Sequence, residues 1–264
     1  MSRNERGVFI REDGTKTFVP LENNPEVLTD LVHRLGMSPQ LGFYDIYSID
    51  EPELLALVPK PVHAIIFIAP AGVYYRVRTD DAGGKEFAGA PTSVEQSKKL
   101  TYDGSGEEEP VMWFKQTIGH ACGLIALLHS VANGSARYFI LPGSTLDNLF
   151  KEALSLKPHA RAQLLYDSEE LEKAHMASAF KGDSRAPLAS EPNGYHFISF
   201  VKGKDSHLYE LEGSSDGPID RGLLDENEDV VSDRALNAGI RRFVKAAEGN
   251  LEFSMVALAT KPSV

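Results

Sequence analysis

The run Val62-His63-Ala64-Ile65-Ile66-Phe67-Ile68-Ala69 constrains the fold more than any other stretch of the 264 residues. Its almost unbroken apolar character falls well short of the ~20 residues needed to cross a bilayer. It also lacks the polar alternation of a strand with one wet face. Such a strand is buried on both sides.

Helical patterns lie before and after that strand. Asn24 as N-cap, Pro25 in the first turn, Val27, Leu28, Leu31, Val32 and Leu35 along one face, and Gly36 as a stop predict a helix over 24–36. Asp50, Glu51 and Pro52 open a short helix ending near Val58. Further helices are expected over 121–133, 145–156, 158–166 and 230–247, and a capping box at Asp167 and Glu170 starts another that reaches Phe180. Strands are expected over 43–49, over 73–78 beside the apolar run, and over 253–259. HFISFV (196–201) and HLYELE (207–212) form a hairpin across KGKD. With no internal repeat and no clean linker, this reads as one α/β (α+β) domain spanning 1–264.

Composition narrows the function. Lys and Arg number 27 against 38 Asp and Glu, a net charge of −11, which repels nucleic acid and acidic membrane surfaces and favours a basic partner. A single cysteine excludes an internal disulfide and any multi-cysteine metal site, and the eight histidines contain no i, i+4 pair, so no metal and no cofactor is expected. The opening MSRNERG lacks the apolar core of a signal peptide. A cytoplasmic or nuclear monomer is therefore expected. Segments 80–91 and 103–110, with its Glu107-Glu108-Glu109 run, read as solvated loops, and 182–194 as a long flexible loop of the kind that is functional or disordered.

The one cysteine stands in QTIGHACGLIALLHS, where a polar loop becomes an apolar helix. A helix start offers unpaired N–H groups and a positive dipole end, which favour thiolate over thiol. Ala121 and Gly123 leave room for an acyl carbon beside Cys122. Gln116, six residues upstream, can supply a side-chain amide which, with the Cys122 N–H, stabilises an oxyanion. A hairpin centred on Lys204 sets His196 opposite Glu212, about 5 Å apart at Cβ, so the carboxylate can fix the imidazole tautomer. His120, His129 and His207 read as packed or surface residues.

FKQTIGHACGLIALLHSVANG, YHFISFVKGKDSHLYELEG, PLENNPEVLTDLVHRLG and FYDIYSIDEPELLALVPKPVHAIIF resemble the ubiquitin C-terminal hydrolases, the compact deubiquitinating branch of the papain-like cysteine peptidases. The resemblance runs from about Lys16 to Ala259. It implies a central antiparallel sheet with helices on both sides and a knotted chain, with Cys122 as nucleophile, His196 as general base and acid, and Gln116 as oxyanion donor. The triad acid falls on Glu212, where the family pattern LYELDG has Asp, and His120 stands where the family has Asn. It further implies an active-site crossover loop at about 182–195 that limits the leaving group to small adducts or unfolded tails. Ubiquitin, or a close ubiquitin-like protein, is the implied partner, with Leu21, Glu22, Glu26 and Asp45 as contacts. Two other readings stay open: a ubiquitin-binding module whose catalysis is impaired because the acid is Glu212, and a different Cys-His transferase.

Overall fold

The computed structural model describes residues 2–3, 8–83, 100–183 and 194–262. Three two-residue strands, β1 (Ser2–Arg3), β2 (Phe9–Ile10) and β3 (Lys16–Thr17), pair in that order as a small antiparallel sheet that the sequence did not announce. Then come α1 (Pro25–Leu35), β4 (Leu41–Asp45), α2 (Pro52–Leu55), β5 (Val62–Pro70) and α3 (Ala71–Asp81). Beyond residue 100 follow α4 (Cys122–Ala132), a 3-10 turn (Gly134–Phe139), α5 (Thr145–Leu154), α6 (Pro158–Asp167) and α7 (Glu169–Ala179). The chain ends with β6 (Tyr195–Lys202), β7 (His207–Leu211), β8 (Ile219–Leu223), α8 (Asp233–Ala238), α9 (Ile240–Ala246) and β9 (Ser254–Thr260).

Among the described residues the main sheet has six strands in the order β4-β9-β5-β6-β7-β8, every neighbouring pair antiparallel. The apolar run forms its centre, as its composition demands. Side chains alternate along a strand, so Ala64 and Ile66 of β5 join Phe197 and Val201 of β6 in a core shared with α1, α4, α5 and α7. Ile65, Phe67 and Ala69 join Ile198 and Phe200 in a second core under α3, α8 and α9. Helices thus cover both faces of an α/β sheet.

Several boundaries move. Residues 73–78 belong to helix α3, because buried Val73, Tyr74 and Val77 recur with helical spacing and face the second core; their branched and aromatic composition imitates a strand. The expected helix over 230–247 breaks into α8 and α9 at Gly239, where a Cβ would lie 2.9 Å from the Phe200 ring. The helix α7 is capped by Ser168, whose hydroxyl accepts from the Leu171 N–H, while Asp167 closes α6. The α1 boundaries agree with the sequence: the Asn24 side chain accepts from Glu26 and Val27 N–H, and Gly36 adopts φ 105°.

Candidate active site

Cys122 is the first residue of α4, and no side chain caps that end. The turn before it depends on His120, which takes the left-handed conformation (φ 56°). That conformation suits Asn or His better than most residues. The His120 Nδ1 is buried without a hydrogen-bond partner among the described residues. Burial, and then the charge of Arg11, lowers its pKa, so it is neutral. The loop is further fixed by β3: Gly119 donates to the Lys16 carbonyl and accepts from Phe18 N–H, each at 2.9 Å.

The start of α4 lies against β6. A Cβ on Gly123 would sit 3.3 Å from the Phe197 ring and 3.2 Å from Leu21 Cβ, and farther along Ser130 Oγ meets Ser199 Oγ at 2.8 Å. The cysteine's neighbour therefore packs on the residue following His196. The imidazole itself takes the α3 side, stacked on the Tyr74 ring with centroids 4.1 Å apart and planes 12° from parallel, and edge-on to Tyr75 at 5.3 Å.

His196 and Glu212 are brought together, although not by the expected register. The turn is a three-residue loop in which Ser206 N–H donates to Gly203 carbonyl, Gly203 N–H donates to His207 carbonyl, and Ser206 has φ 67°. This is a type I turn followed by a left-handed bulge residue. It centres the hairpin on Asp205, and the ladder pairs Ser199 with Leu211 and Val201 with Tyr209. Glu212 is thus diagonal to His196 rather than opposite. Because the slip is two residues, both keep the same face. The His196 Nδ1 reaches Glu212 Oε1 at 3.4 Å, with Glu212 only 3% exposed.

The other carboxylate oxygen is held tightly. Glu212 Oε2 accepts from Ser214 N–H (3.0 Å), Ser214 Oγ (2.6 Å), Ser215 Oγ (3.2 Å) and Tyr74 hydroxyl (3.2 Å). Burial works to raise the Glu212 pKa, but the His196 hydrogen bond and charge, with the Ser214 donors, outweigh it and hold the carboxyl down to about 2. It is ionised at any working pH. Nδ1–H then faces the acid, leaving Nε2 as the imidazole's free base.

Gln116 belongs to the same assembly. Its N–H donates to Gly213 carbonyl at 2.9 Å, and its side-chain amide donates to Ile118 carbonyl at 3.2 Å. Upstream, Trp113 Nε1 donates to Glu212 carbonyl, Phe114 N–H to His129 Nε2, and Met112 N–H to Asn133 Oδ1. His129 on α4 and Asn133 at its C-cap therefore clamp the segment leading to Gln116. His129 is a buried neutral residue, as its packing role requires. Glu109 also leaves its expected solvated loop: it is 7% exposed and paired with fully buried Arg161. Tyr74, Ser214 and Gly213 were not singled out by sequence. The signal for Tyr74 was the helical spacing hidden inside a strand-like composition.

Of the residues expected to contact a partner, Leu21 is 5% exposed and packs against Gly123. It therefore supports the α4 start. Glu26 and Asp45 are exposed, and Glu22 lies against Gly182, where a Cβ would come 2.3 Å from its Oε2. Residues 184–193, most of the expected crossover loop, lie outside the described residues. No group of His, Cys, Asp and Glu suited to a metal ion occurs among the described residues.

The family model for ubiquitin carboxyl-terminal hydrolase, family 1, matches residues 18–245. The chain belongs to this family. Ubiquitin C-terminal hydrolases are also its curated relatives. A probable ubiquitin carboxyl-terminal hydrolase of Dictyostelium discoideum is 34% identical over 248 residues, 94% of this chain and 90% of its own. Ubiquitin carboxyl-terminal hydrolase 3 of Arabidopsis thaliana is 31% identical over 250 residues, 94% and 96% of the two chains. In fold, the chain is similar to the Trichinella spiralis UCH37 catalytic domain solved bound to ubiquitin vinyl methyl ester, with a TM-score of 0.67 at 21% identity over 93% of this chain and 96% of that one. The matched span contains Gln116, Cys122, His196 and Glu212, while β1, β2 and β3 precede it.

Proposed function

We propose that this ubiquitin C-terminal hydrolase is a deubiquitinating thiol hydrolase that cleaves amide, ester or thioester bonds at the C-terminal glycine of ubiquitin, or of a close ubiquitin-like protein. The observation that carries the reading is the buried, ionised Glu212 held against His196 Nδ1, beside a helix that opens with the chain's only cysteine. His196 Nε2 takes the Cys122 thiol proton. The thiolate adds to the carbonyl carbon, and the new oxyanion is met by the Gln116 amide and the Cys122 N–H. The tetrahedral species collapses as Nε2–H protonates the leaving amine or alcohol, giving an acyl-enzyme on Cys122. Water, deprotonated by Nε2, then releases the free carboxylate and restores the thiol.

Glu22, Glu26 and Asp45, within a chain of net charge −11, suit the basic partner that the charge balance favours. The preference for small or unfolded leaving groups rests on the family resemblance alone. The experiment is hydrolysis of a ubiquitin C-terminal fluorogenic amide: the protein releases dye and Cys122→Ala does not, and equal release by that variant would overturn the reading. The 3.4 Å span between His196 and Glu212 favours one second reading, a ubiquitin-binding module with impaired turnover, which predicts calorimetric binding of ubiquitin with no dye release.

A further inference from the structure

We propose that Tyr74 is a positioning residue for His196 and Glu212, and that it is the feature that lets a glutamate serve as the triad acid in this chain. The proposal rests on the thiol-hydrolase reading above. Two contacts from one side chain carry it. The Tyr74 ring stacks on the imidazole at 4.1 Å, and its hydroxyl donates to Glu212 Oε2 at 3.2 Å while lying 2.9 Å from Ser215 Oγ. Base and acid are thus held by the same phenol.

The first contact fixes the plane of the imidazole, whose other neighbour, Tyr75, meets it edge-on. When Nε2 takes the thiol proton, the ring becomes a cation over the negative face of an aromatic, an attractive arrangement when desolvated; Tyr74 is 2% exposed. The second contact sets the length of the acid. Glutamate carries one more methylene than aspartate, a reach longer by roughly 1.5 Å, and its extra torsion must be frozen for Oε1 to stay on Nδ1. The donors converging on Oε2 do this, and among the described residues Tyr74 is the only one of them outside the 214–215 turn. Burial, and then the charge of Glu212, raises the Tyr74 pKa well above its usual value, so the hydroxyl remains a donor.

The tyrosine is itself anchored. The Arg78 guanidinium, one helical turn on, lies 5.1 Å from the Tyr74 ring centroid and pairs with fully buried Glu210 at 2.7 Å. Glu210 is two residues before Glu212 on β7 and also pairs with Arg221 at 2.7 Å. Arg78 thus ties α3 to β7 by an ion pair that takes no part in the chemistry, beside the apolar packing of Val73 and Val77.

The test is steady-state hydrolysis of the ubiquitin fluorogenic amide by Tyr74→Phe, which keeps the ring and removes only the hydroxyl, and by Tyr74→Leu, each in native and Glu212→Asp backgrounds. Tyr74→Phe should lower kcat about tenfold with KM unchanged within about twofold, since a charge-assisted bond is lost away from the partner's docking surface. Tyr74→Leu should lower it about a hundredfold. With Glu212→Asp, whose shorter carboxylate retreats from the phenol, Tyr74→Phe should cost less than about threefold, the non-additivity expected of residues in contact. Unchanged kcat in Tyr74→Phe, or the same loss in both backgrounds, would overturn the inference while an inactive Cys122→Ala leaves the hydrolase reading standing. Turnover by Cys122→Ala would overturn that reading instead.

Discussion

Replacing Gly213 with alanine tests whether the loop carrying Gln116 is positioned by the acid's own turn. The added Cβ would lie 2.8 Å from Gln116 Cβ, 2.9 Å from Ile125 Cγ2 and 3.2 Å from Gln116 N. Carbon pairs settle at ~3.5–4.0 Å, so the closest contact is about 0.7 Å too tight. Ile125 is braced in the first turn of α4, and Gln116 lies on a loop; Gln116 is the residue that gives way. Overpacking of this kind costs ~1–3 kcal/mol of stability. For the reaction, displacing Gln116, the proposed oxyanion donor, by a large fraction of an ångström should lower kcat by about 10- to 100-fold, given that ~1 Å can cost ~100-fold. The assay is kcat and KM on the ubiquitin fluorogenic amide, with urea denaturation to establish that the variant is folded. In a Gln116→Ala background the same substitution should cost less than about threefold, because the group it displaces is already gone. A folded Gly213→Ala with kcat within about twofold of the parent, or an equal loss in both backgrounds, would refute the reasoning.

Other outcomes follow from the same structure. Burial holds His129 and His175 down to about 3 and about 4, whereas in the unfolded chain both protonate near pH ~6.5. The unfolded state therefore binds more protons below that pH, and stability falls as pH drops: urea denaturation at pH 5 should give roughly 4 kcal/mol less than at pH 7, and an unchanged midpoint would contradict this. Arg161→Met leaves the Glu109 carboxylate, its side chain 7% exposed, without its cation and with only the Tyr102 hydroxyl as side-chain donor among the described residues, while the carbonyls of Ala153 and Leu154 keep the Leu156 and Gly106 N–H groups. Chemical denaturation should show a loss of ~3–5 kcal/mol, and a variant of native stability would show the pair to be idle. Glu212→Gln turns an NH2 toward Nδ1 while its carbonyl keeps the Ser214 donors, which forces the wrong imidazole tautomer. The kcat should fall about 1,000-fold or more with calorimetric ubiquitin affinity retained, and near-native turnover would remove Glu212 from the mechanism.

What the sequence made legible is what local pattern determines. The doubly buried β5, the Asn24-to-Gly36 helix and the helix opening at Cys122 each follow from apolar spacing and end signals, and the ordered Gln, Cys and His segments sufficed for the family. What stayed hidden depends on contacts between distant segments. In Val73-Tyr74-Tyr75, β-branched and aromatic residues mask helical spacing, and with the helix the phenol above His196 was missed. The hairpin register slipped by two because its bulge residue is Ser206, not the glycine that would have announced a positive φ. Glu109 looked like part of a solvated acidic run because its partner, Arg161, lies 52 residues away. The packing of Leu21 against Gly123, about a hundred residues away, was equally invisible to local pattern.

The central claim is that one thiol, made reactive by an imidazole from the β6–β7 hairpin, attacks the C-terminus of ubiquitin. Intact-mass analysis after incubation with ubiquitin vinyl methyl ester tests it most directly. The account predicts a single adduct in the native chain, none in Cys122→Ala, and adduct formation at least about tenfold slower in His196→Ala, the low end of what a general base contributes. An unmodified native chain, equal labelling of Cys122→Ala, or undiminished labelling of His196→Ala would contradict it.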